Sequence, residues 1–474
     1  MHIKKHLLFF FIKSCLYFFA AIFIFNISAC HKGADLLPQP PKNPNDTNPP
    51  VFKGSHYNVI FILGDDIGYE IPTYTGGESY STPNLDFMAA NGTQFSQCYG
   101  SPLCSPSRFM LLTGKYNFRN YTVWGTMDRS QRTFANIFKL AGYTTCVSGK
   151  WQFDGGDTSI KAFGYDKYMV NNPFNVNGQN EDDDKFYKNP KIYTDGKYLP
   201  DKETNGKYGQ DMFRDYMFNF IDSNAKKTPF FVYWAMDLCH TPFSPTPDDP
   251  EYAAWNPSNP PQYADTLFFP SMVKYMDKQI GQLLSKLTAD NIQDSTIIFF
   301  TGDNGTTSII YSKFKGQVLP GGKSKTVNLG THLPLVAYCP GTVPAGVTDT
   351  TLVSFVDFMS TFADIANVSI PASYGTNDGL SFAPQLKGQQ YNVRDWVFDH
   401  YPGAGKFEND PKHLRRWMQN STYKQYDTMQ NAKSGKFYNL AVDPYEQHPL
   451  GPDQLNPEEK AVSDYFFSNM SRLH

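Results

Sequence analysis

A series of short apolar runs, separated by segments with helical patterns, is the sequence feature that most restricts the fold. The runs are continuous and rich in β-branched and aromatic residues, which is typical of strands buried on both faces. They cover residues 57–63, 143–147, 228–236, 296–300 and 333–338. Apolar residues recur at helical spacing over 133–142 and 271–287, between these runs. Strands that alternate with helices in this way predict an open α/β sheet.

Polar side chains follow the first four runs at the points where the strands are expected to end. In an open α/β sheet, ligands bind outside the carboxyl ends of the strands. Residues that are far apart in the chain should therefore meet at one edge of the sheet. The expected group consists of Asp65, Asp66, Lys150, His240, Asp303 and Asn304.

This group has the composition of a site for a hard cation and an oxyanion. Its three aspartates and one asparagine offer only oxygen ligands, which suit Ca²⁺ or Mg²⁺ better than zinc. Lys150 and His240, together with Arg108 and Lys323, add cationic or donor groups. A divalent cation ringed by such groups can hold a tetrahedral oxyanion and stabilise its transfer. The residues alone leave both sulfate and phosphate esters open as substrates.

Cys104 begins a further motif, with proline two residues later and Arg108 four residues later, that runs into an apolar helical pattern. Proline is tolerated in the first helical turn, and a helix N-terminus favours a bound anion. Cys104 and Arg108 would lie one turn apart on the same face of the helix. The alternative is a buried structural cysteine. Outside residues 1–30 the cysteines number five, an odd number, so at least one lies outside any intramolecular disulfide.

Taken together, these motifs resemble the formylglycine-dependent sulfatase family of the alkaline phosphatase-like superfamily. The resemblance extends in order from about residue 56 to residue 450. It is carried by the segments 104–108, 65–66, 149–151, 240–242, 303–305, 322–323 and 436–446. It implies an α/β sandwich with a large mixed, mainly parallel sheet over 56–385. A small C-terminal α+β domain with an antiparallel sheet is expected over 386–474.

The resemblance also implies the cofactors and the roles of the site residues. Cys104 would be converted by a maturation enzyme to formylglycine. One oxygen of its hydrate would attack sulfur and expel the alcohol; the second hydroxyl would then lose its proton, so that the C–O bond breaks, sulfate leaves and the aldehyde is restored. Ca²⁺, or else Mg²⁺, would be bound by Asp65, Asp66, residue 104, Asp303 and Asn304. Arg108 and Lys150 would orient formylglycine. Lys323 and His240 would hold the sulfate, and one of them would protonate the leaving oxygen.

Two positions depart from the family pattern. Family members commonly have a histidine two residues after the position of Lys150, where it accepts the proton in the release step, but this chain has Gln152. Glutamine cannot accept a proton at neutral pH. His332 stands where the family commonly has arginine. Gln152 favours one alternative to an active sulfatase, a weakly active or non-catalytic glycan-binding relative. A second alternative is a phosphodiesterase or phosphonate hydrolase on the same scaffold, which some formylglycine-dependent relatives resemble.

The N-terminal segment is expected to direct export rather than to form part of the fold. Residues 1–30 combine lysines, a long apolar run and small residues before Cys30, a pattern that resembles a bacterial lipoprotein signal with Cys30 as the lipidated residue. An uncleaved membrane anchor is the alternative. The Pro/Asn-rich stretch 31–55 would act as a stiff spacer. Both interpretations place the protein on the outside of the membrane, tethered to the bacterial cell envelope.

Composition narrows the class of partner. The net charge of −3 excludes the strongly basic surface of a nucleic-acid-binding protein. Aromatic residues make up 16% of the chain and charged residues 18%, a composition that suits stacking against sugar rings but that a large core explains equally well. Together with the expected anchoring, the resemblance to sulfatases implies a sulfated glycan as the substrate. The segment 171–210 lacks periodicity and is expected to be a surface insertion near the pocket rim. That segment and 400–430 could contact the substrate through residues that include His400, Lys412, His413, Arg415 and Arg416, although no spacing selects among them.

Overall fold

The first apolar run forms the central strand of a large mixed sheet. The computed structural model describes Phe52 and residues 56–171, 173–174, 176, 185–258, 266–389, 394–403, 408, 410–428 and 433–473. The predicted signal segment with Cys30, the spacer apart from Phe52, and the acidic run 181–184 lie outside these residues. In the described part of the chain, no helix is both long enough and apolar enough to cross a bilayer.

The strands alternate with helices along the chain, as the sequence predicts. The strands are β1 (Asn58–Gly64), β2 (Thr93–Tyr99), β3 (Thr144–Lys150), β4 (Lys167–Asn171), β5 (Tyr193–Thr194), β6 (Lys197–Tyr198), β7 (Phe230–Ala235), β8 (Thr296–Gly302), β9 (Tyr311–Phe314), β10 (Gln317–Pro320), β11 (His332–Tyr338), β12 (Val347–Asp349), β13 (Val353–Ser354), β14 (Val397–Tyr401), β15 (Arg415–Gln419), β16 (Tyr423–Tyr426) and β17 (Phe437–Asn439). The helices are α1 (Pro83–Ala90), α2 (Cys104–Thr113), α3 (Asn117–Asn120), α4 (Phe134–Leu140), α5 (Gly156–Ala162), α6 (Asp201–Thr204), α7 (Gly209–Asn224), α8 (Phe269–Ala289), α9 (Asn328–Thr331), α10 (Asp357–Ile365) and α11 (Pro457–Met470).

The strand order of the large sheet is β12-β2-β11-β8-β1-β7-β3-β4-β5-β6, with β13 also paired to β2. Four of the five apolar runs form the parallel block β8-β1-β7-β3 at its centre. The fifth run, β11, pairs antiparallel with both β8 and β2. The predicted mixed, mainly parallel sheet is therefore confirmed, and the carboxyl ends of β8, β1, β7 and β3 lie at one edge.

The two faces of the sheet are both buried, which explains the unbroken apolar runs in β1, β7 and β8. Along β1, Phe61 points into a cluster that includes residues of α2, α4 and α10. Its neighbours Ile60 and Ile62 point into a second cluster that includes residues of α1, α7 and α8. Because side chains alternate between the two faces of a strand, a strand covered on both sides must be apolar at every position.

The C-terminal sheet β14-β15-β16-β17 is antiparallel, as predicted for a small C-terminal α+β unit. Phe398, Met418 and Phe466 belong to the same apolar cluster as the helices on one face of the large sheet. A separate aromatic cluster around Trp417 and Tyr426 packs against Leu103, the residue directly before α2. The C-terminal sheet therefore supports the segment that contains Cys104.

The prediction that 171–210 is a surface insertion is wrong for its described part. The strands β5 and β6 extend the large sheet, and Phe186 and Tyr187 are buried. The strands have only two residues each, too short for a periodic pattern to show in the sequence. The five described cysteines are all buried and all free, so none of them forms a disulfide.

Candidate active site

Two pairs of acidic and amide side chains meet where β1 and β8 end. The two strands are in register up to Gly64 and Gly302, so the residues that follow each strand are neighbours. The backbone N–H of Asp66 donates to Oδ1 of Asp303 over 3.0 Å. A side chain at Gly302 would place its Cβ 1.9 Å from the carbonyl oxygen of Ile67, so only glycine allows this close approach. The sheet edge therefore brings together residues that are 237 positions apart in the chain.

The oxygens at this edge are buried, and some lack hydrogen-bond partners. Asp65, Asp66, Asp303 and Asn304 have no solvent-exposed surface. Nδ2 of Asn304 donates to Oδ1 of Asp66 over 2.8 Å, which turns the amide oxygen of Asn304 elsewhere. That oxygen and Oδ1 of Asp65 have no hydrogen-bond partner in the described residues. Buried oxygens without partners are costly unless a ligand satisfies them.

Three cationic side chains contact these carboxylates. Lys150 forms an ion pair with Asp65, and Nζ of Lys323 lies 2.7 Å from Asp66. The close packing of β3 on β7 positions Lys150, because a Cβ at Gly149 would lie 1.9 Å from the carbonyl oxygen of Ala235.

Arg108 completes this group of cations. Its Nε and Nη2 lie 3.0 and 2.9 Å from Oδ2 of Asp303. The guanidinium also receives support from the hydroxyl of Tyr233, 3.3 Å from Nη1. Among the three described cations, Arg108, Lys150 and Lys323, Lys323 is the most accessible to solvent, with 16% of its side-chain surface exposed.

The charges at the site oppose one another in a buried environment. Burial alone would raise the pKa of Asp65, but Lys150, His240 and Arg108 lower it well below its usual range. Burial and the neighbouring Asp65 raise the pKa of Asp303 to about 7, against the opposing effect of Arg108. Three carboxylates held together at low dielectric constant favour a bound cation, since each ionised neighbour otherwise disfavours the next.

His240 lies near the same carboxylates, although it is not at the strand end itself. β7 ends at Ala235, and His240 follows in a loop. One ligand atom each from Asp65, Asp66 and His240 fall within 4.8 Å of one another. Nδ1 of His240 lies 2.5 Å from the carbonyl oxygen of Thr241, which fixes the proton on Nδ1 and leaves Nε2 as an acceptor. Burial, followed by Lys150 and Lys323, lowers the pKa of His240 to about 4.

Cys104 is the first residue of α2, with 4% of its surface exposed. Leu103, which precedes it, is extended and offers no polar side-chain cap, so the first N–H groups of α2 face the site. Ser107 donates a hydrogen bond of 2.5 Å to the carbonyl oxygen of Asp303, which ties α2 to the end of β8. The pKa of Lys150 is raised overall: burial lowers it, but Asp65 and, to a smaller extent, Cys104 raise it more. Cys104 therefore lies close enough to Lys150 to interact with its charge.

Gln152 lies directly beside the sulfur of Cys104. Its Nε2 is 3.4 Å from Sγ, and its Oε1 is buried without a partner in the described part of the chain. The backbone of Gln152 has φ = 60°, a left-handed conformation that is uncommon for residues other than glycine. The residue that departs from the family pattern thus occupies the position next to Cys104.

His332, the second departure, lies outside this group. Its ring stacks on Tyr69 at 3.9 Å and on Tyr99 at 5.0 Å between ring centres. Its Nε2 lies 2.8 Å from the carbonyl oxygen of Ser96. These contacts give His332 a packing role.

The loop that carries His240 is held by residues that the sequence analysis did not select. The hydroxyl of Tyr187 lies 2.8 Å from the carbonyl oxygen of Asp237 and 2.7 Å from that of His240. The carboxylate of Asp237 accepts 2.6 Å hydrogen bonds from Asn171 and Gln210. Asn171 and Asp237 end or follow parallel strands of the sheet, so the rule that selected the other residues could also have found these two.

Comparison with known proteins gives two family matches. The Sulfatase family model matches residues 57–368, and the model for the N-sulphoglucosamine sulphohydrolase C-terminal region matches residues 326–469. The N-acetylgalactosamine-6-sulfatase of Mus musculus is 31% identical over 365 residues, which cover 70% of this chain and 66% of the mouse protein. The match therefore spans about two thirds of that relative's length.

Two solved structures show the same fold over most of the chain. A protein solved in complex with its substrate D-glucosamine-2-N,6-O-disulfate has a TM-score of 0.71 and 21% identity, and the match covers 88% of this chain and 98% of that one. The protein Ps i-CgsB, solved in complex with k-i-k-neocarrahexaose, has a TM-score of 0.70 and 24% identity, with coverage of 88% and 93%.

Proposed function

This chain belongs to the sulfatase family, whose members are sulfuric ester hydrolases, and we propose that it removes sulfate from a sulfated glycan with a formylglycine nucleophile. The observation that carries the proposal is the position of Cys104, at the N-terminus of α2 and within electrostatic reach of Lys150 and Lys323, which form ion pairs with the buried Asp65 and Asp66. A cysteine that served only to fill the core would not need charged groups around it.

Oxidation of Cys104 to formylglycine would supply the nucleophile of the reaction. Around residue 104, Arg108 and Lys150 hold fixed positions through their ion pairs with Asp303 and Asp65. Gln152 donates toward residue 104 and fixes its orientation. Because Gln152 cannot take up a proton, we expect the release step to be slower here than in relatives with histidine at this position.

The residues present fit a hard divalent cation. Asp65, Asp66, Asp303 and Asn304 would hold it, and the buried oxygens of Asp65 and Asn304 that lack partners support this assignment. When bound, the cation would supply electrostatic stabilisation for the negative charge that develops on oxygen. The chemistry of the ligand set favours Ca²⁺, with Mg²⁺ as the alternative.

Lys323 and His240 are the groups that would hold the sulfate. Lys323 keeps part of its surface open to solvent, and its ammonium can therefore reach an incoming anion. Nδ1 of His240 is held by a backbone carbonyl, so His240 would donate to a sulfate oxygen through Nε2 when the ring is protonated. One of these two side chains would deliver a proton to the leaving alcohol oxygen.

For the substrate, we propose a sulfated carbohydrate. The mouse relative is named as an N-acetylgalactosamine-6-sulfatase, and the structural neighbour with a TM-score of 0.71 was solved in complex with D-glucosamine-2-N,6-O-disulfate. A 6-sulfated amino sugar is therefore the first substrate to test. The other structural neighbour binds a neocarrahexaose, so sulfated galactans belong in the same screen.

The decisive experiment measures the mass of the peptide that contains Cys104, after expression with a formylglycine-generating enzyme. Formylglycine lowers the peptide mass by about 18 Da relative to cysteine. Matured protein should then release inorganic sulfate from N-acetylgalactosamine 6-sulfate or another sulfated sugar of the screen, and chelation of divalent cations should abolish the release. Cys104→Ala is the matched control.

Two results would contradict this proposal. Matured protein that hydrolyses an aryl phosphodiester or phosphonate faster than any sulfate ester would favour the phosphoryl-transfer alternative. Protein that resists maturation while a control sulfatase is converted in the same cells, but that binds a sulfated glycan, would favour the non-catalytic relative.

We further propose that the protein is exported and anchored by a lipid on Cys30 to the bacterial cell envelope. The sequence pattern before Cys30 supports this proposal. Cys30→Ser should move the protein from the membrane fraction to the soluble fraction and remove the lipid from the N-terminal peptide. Wild-type protein that stays membrane-bound with residues 1–29 still attached would favour the uncleaved anchor.

A further inference from the structure

A cationic cleft lies beside the candidate active site. It has a volume of about 570 Å³ and is lined by residues 324–327 of the α/β unit and by residues of the C-terminal sheet and its loops. Ser324 directly follows Lys323, and its backbone N–H donates to the carbonyl oxygen of Pro102 over 2.7 Å. The cleft therefore begins one residue away from the proposed sulfate-binding lysine and is tied to the segment that leads into Cys104.

The charges that line this cleft are predominantly positive. Lys325, Arg415 and Lys433 contribute three cations, and Glu446 is the one carboxylate among the described lining residues. His413 adds an imidazole. A cleft lined by one sign of charge raises the local concentration of ions of the opposite sign.

Glu446 does not compete for a ligand in the cleft, because both of its oxygens are engaged. Oε1 accepts from the buried Lys424 over 2.8 Å. Oε2 accepts from Tyr426 over 2.6 Å and from Lys433 over 2.5 Å. Lys424 lies behind the cleft and adds a further positive charge, so the two lysines on Glu446 outweigh its single negative charge.

Arg415 is held in a position that suits an anion. Its Nη1 donates to the carbonyl oxygens of Lys412 and Leu414 over 2.9 and 3.1 Å. No described carboxylate pairs with this guanidinium, so its Nε and Nη2 donors remain available in the cleft. Two neutral backbone acceptors thus fix an arginine whose charge is not compensated, which is the arrangement expected at an anion-binding site.

Tyrosine side chains add surfaces for a sugar ring. Tyr401 and Tyr445 line the same cleft as Lys325 and Arg415. Ligand sites that combine aromatic surfaces with a few placed charges select ligands by both shape and charge. A sulfated or carboxylated sugar has both properties.

We propose that this cleft is a subsite for a second anionic group of the glycan, one sugar or more away from the sulfate that is removed. The substrate would then be a polyanionic oligosaccharide and not a monosaccharide with a single sulfate. This inference rests on the proposed function, because it takes the site at Lys323 to be the sulfate-binding site. Its prediction that the cleft binds an anionic oligosaccharide can be tested separately.

The test compares Arg415→Ala with Lys412→Ala as a matched control. The sequence suggests Lys412 as a possible substrate contact, but the structure places it outside the cleft lining. It is exposed and carries the same charge as Arg415, and its backbone carbonyl accepts a hydrogen bond from Arg415. For matured protein and a chondroitin 6-sulfate tetrasaccharide, Arg415→Ala should raise KM about tenfold, the typical loss for one charged hydrogen bond, with little change in kcat. KM for N-acetylgalactosamine 6-sulfate should not change. Arg415→Lys should recover part of the loss.

A binding measurement keeps the subsite testable if the proposed reaction fails. Calorimetry on the unmatured full-length chain should show that Arg415→Ala weakens binding of the tetrasaccharide about tenfold, while Lys412→Ala does not. Weakened binding without any sulfate release would contradict the proposed function and support the subsite. Sulfate release with an unchanged KM in Arg415→Ala, equal effects of the two variants, or no binding of the tetrasaccharide would overturn the subsite.

The nature of the anionic group follows from one more arm of the same experiment. A tetrasaccharide that carries only the sulfate to be removed keeps its uronate carboxylates. Binding of this probe that still depends on Arg415 supports the subsite and assigns the group as a carboxylate. Binding of this probe that does not depend on Arg415, while binding of the fully sulfated form does, supports the subsite and assigns the group as a sulfate.

Discussion

Replacement of Asp399 by asparagine should stabilise the protein, and the gain should increase with pH. Asp399 lies in β14 with 3% of its surface exposed. Its Oδ1 is 3.4 Å from the hydroxyl of Ser101, and its Oδ2 has no hydrogen-bond partner among the described residues. Burial raises the pKa of Asp399 to about 7, although the hydrogen bond from Ser101 and the charge of Lys424 act in the opposite direction.

The size of the effect follows from the difference between the folded and unfolded pKa values. A carboxyl with a raised pKa binds a proton in the folded state over a range where the unfolded chain has lost it, so stability falls as the pH rises from 3.8 to about 7. About three pH units at 1.36 kcal/mol each set an upper limit of about 4 kcal/mol above pH 7. At pH 5 only about one pH unit of this range has been crossed, so the destabilisation by Asp399 is roughly 2 kcal/mol or less.

The measurement is guanidinium unfolding of wild type and Asp399→Asn at pH 5 and pH 8. The stabilisation by Asp399→Asn should be larger at pH 8 by about 2–3 kcal/mol. A 474-residue chain unfolds with an entropy of about 1 kcal/mol/K, so the corresponding difference in Tm is about 2–3 °C. Asp453→Asn removes the same charge from an exposed position and serves as the control. A stabilisation that is equal at both pH values, or a destabilisation at pH 8, would refute the reasoning.

Three further variants test the site and its support. Gln152→His introduces a proton acceptor and should raise the steady-state kcat of matured protein at least tenfold, since a general base typically accelerates a reaction by a factor of about 10²–10⁴. An unchanged kcat in stopped-flow and steady-state assays would contradict this prediction. Tyr187→Phe removes the hydroxyl donor that is shared by the buried carbonyl oxygen of Asp237 and the partly buried one of His240. It should lower the free energy of unfolding by about 1–3 kcal/mol and reduce sulfate release, because the loop of His240 loosens. Arg394→Ala breaks a buried ion pair with Asp357 and should cost about 3–5 kcal/mol in chemical denaturation without changing KM; a cost below 1 kcal/mol would count against it.

The core of the sheet and the convergence of the strand ends could be predicted from the sequence because both depend on local patterns. A strand covered on both faces favours apolar residues at successive positions, and β1 shows this pattern from Val59 to Leu63. The carboxyl ends of parallel strands lie at one edge whatever the lengths of the connections. Asp65 and Asp303 could therefore be placed together, although Asp66 and Asp303 are 237 positions apart in the chain.

Other features could not be predicted because they depend on contacts between distant segments. The strands β5 and β6 have two residues each and join the sheet only because β4 offers a free edge. The position of His240 is set by the hydroxyl of Tyr187, which comes from a segment without periodicity. The cleft beside Lys323 requires Arg415 and residues 324–327 to face each other, and nothing in either segment encodes the other.

The central position of β1 has a consequence for the order of folding during synthesis. β1 leaves the ribosome early, but its partner β8 follows much later, and Asp66 and Asn304 are 238 residues apart. At typical rates of roughly 5–20 residues per second, 238 residues take roughly 10–50 s to synthesise. The edge of β1 that pairs with β8 remains unpaired for that time, which favours a holding chaperone. Cys104 also precedes most of its surroundings, because Arg108 and Asp303 are 195 residues apart. An enzyme that modifies the thiol therefore has an interval of seconds in which the chain around residue 104 is still accessible.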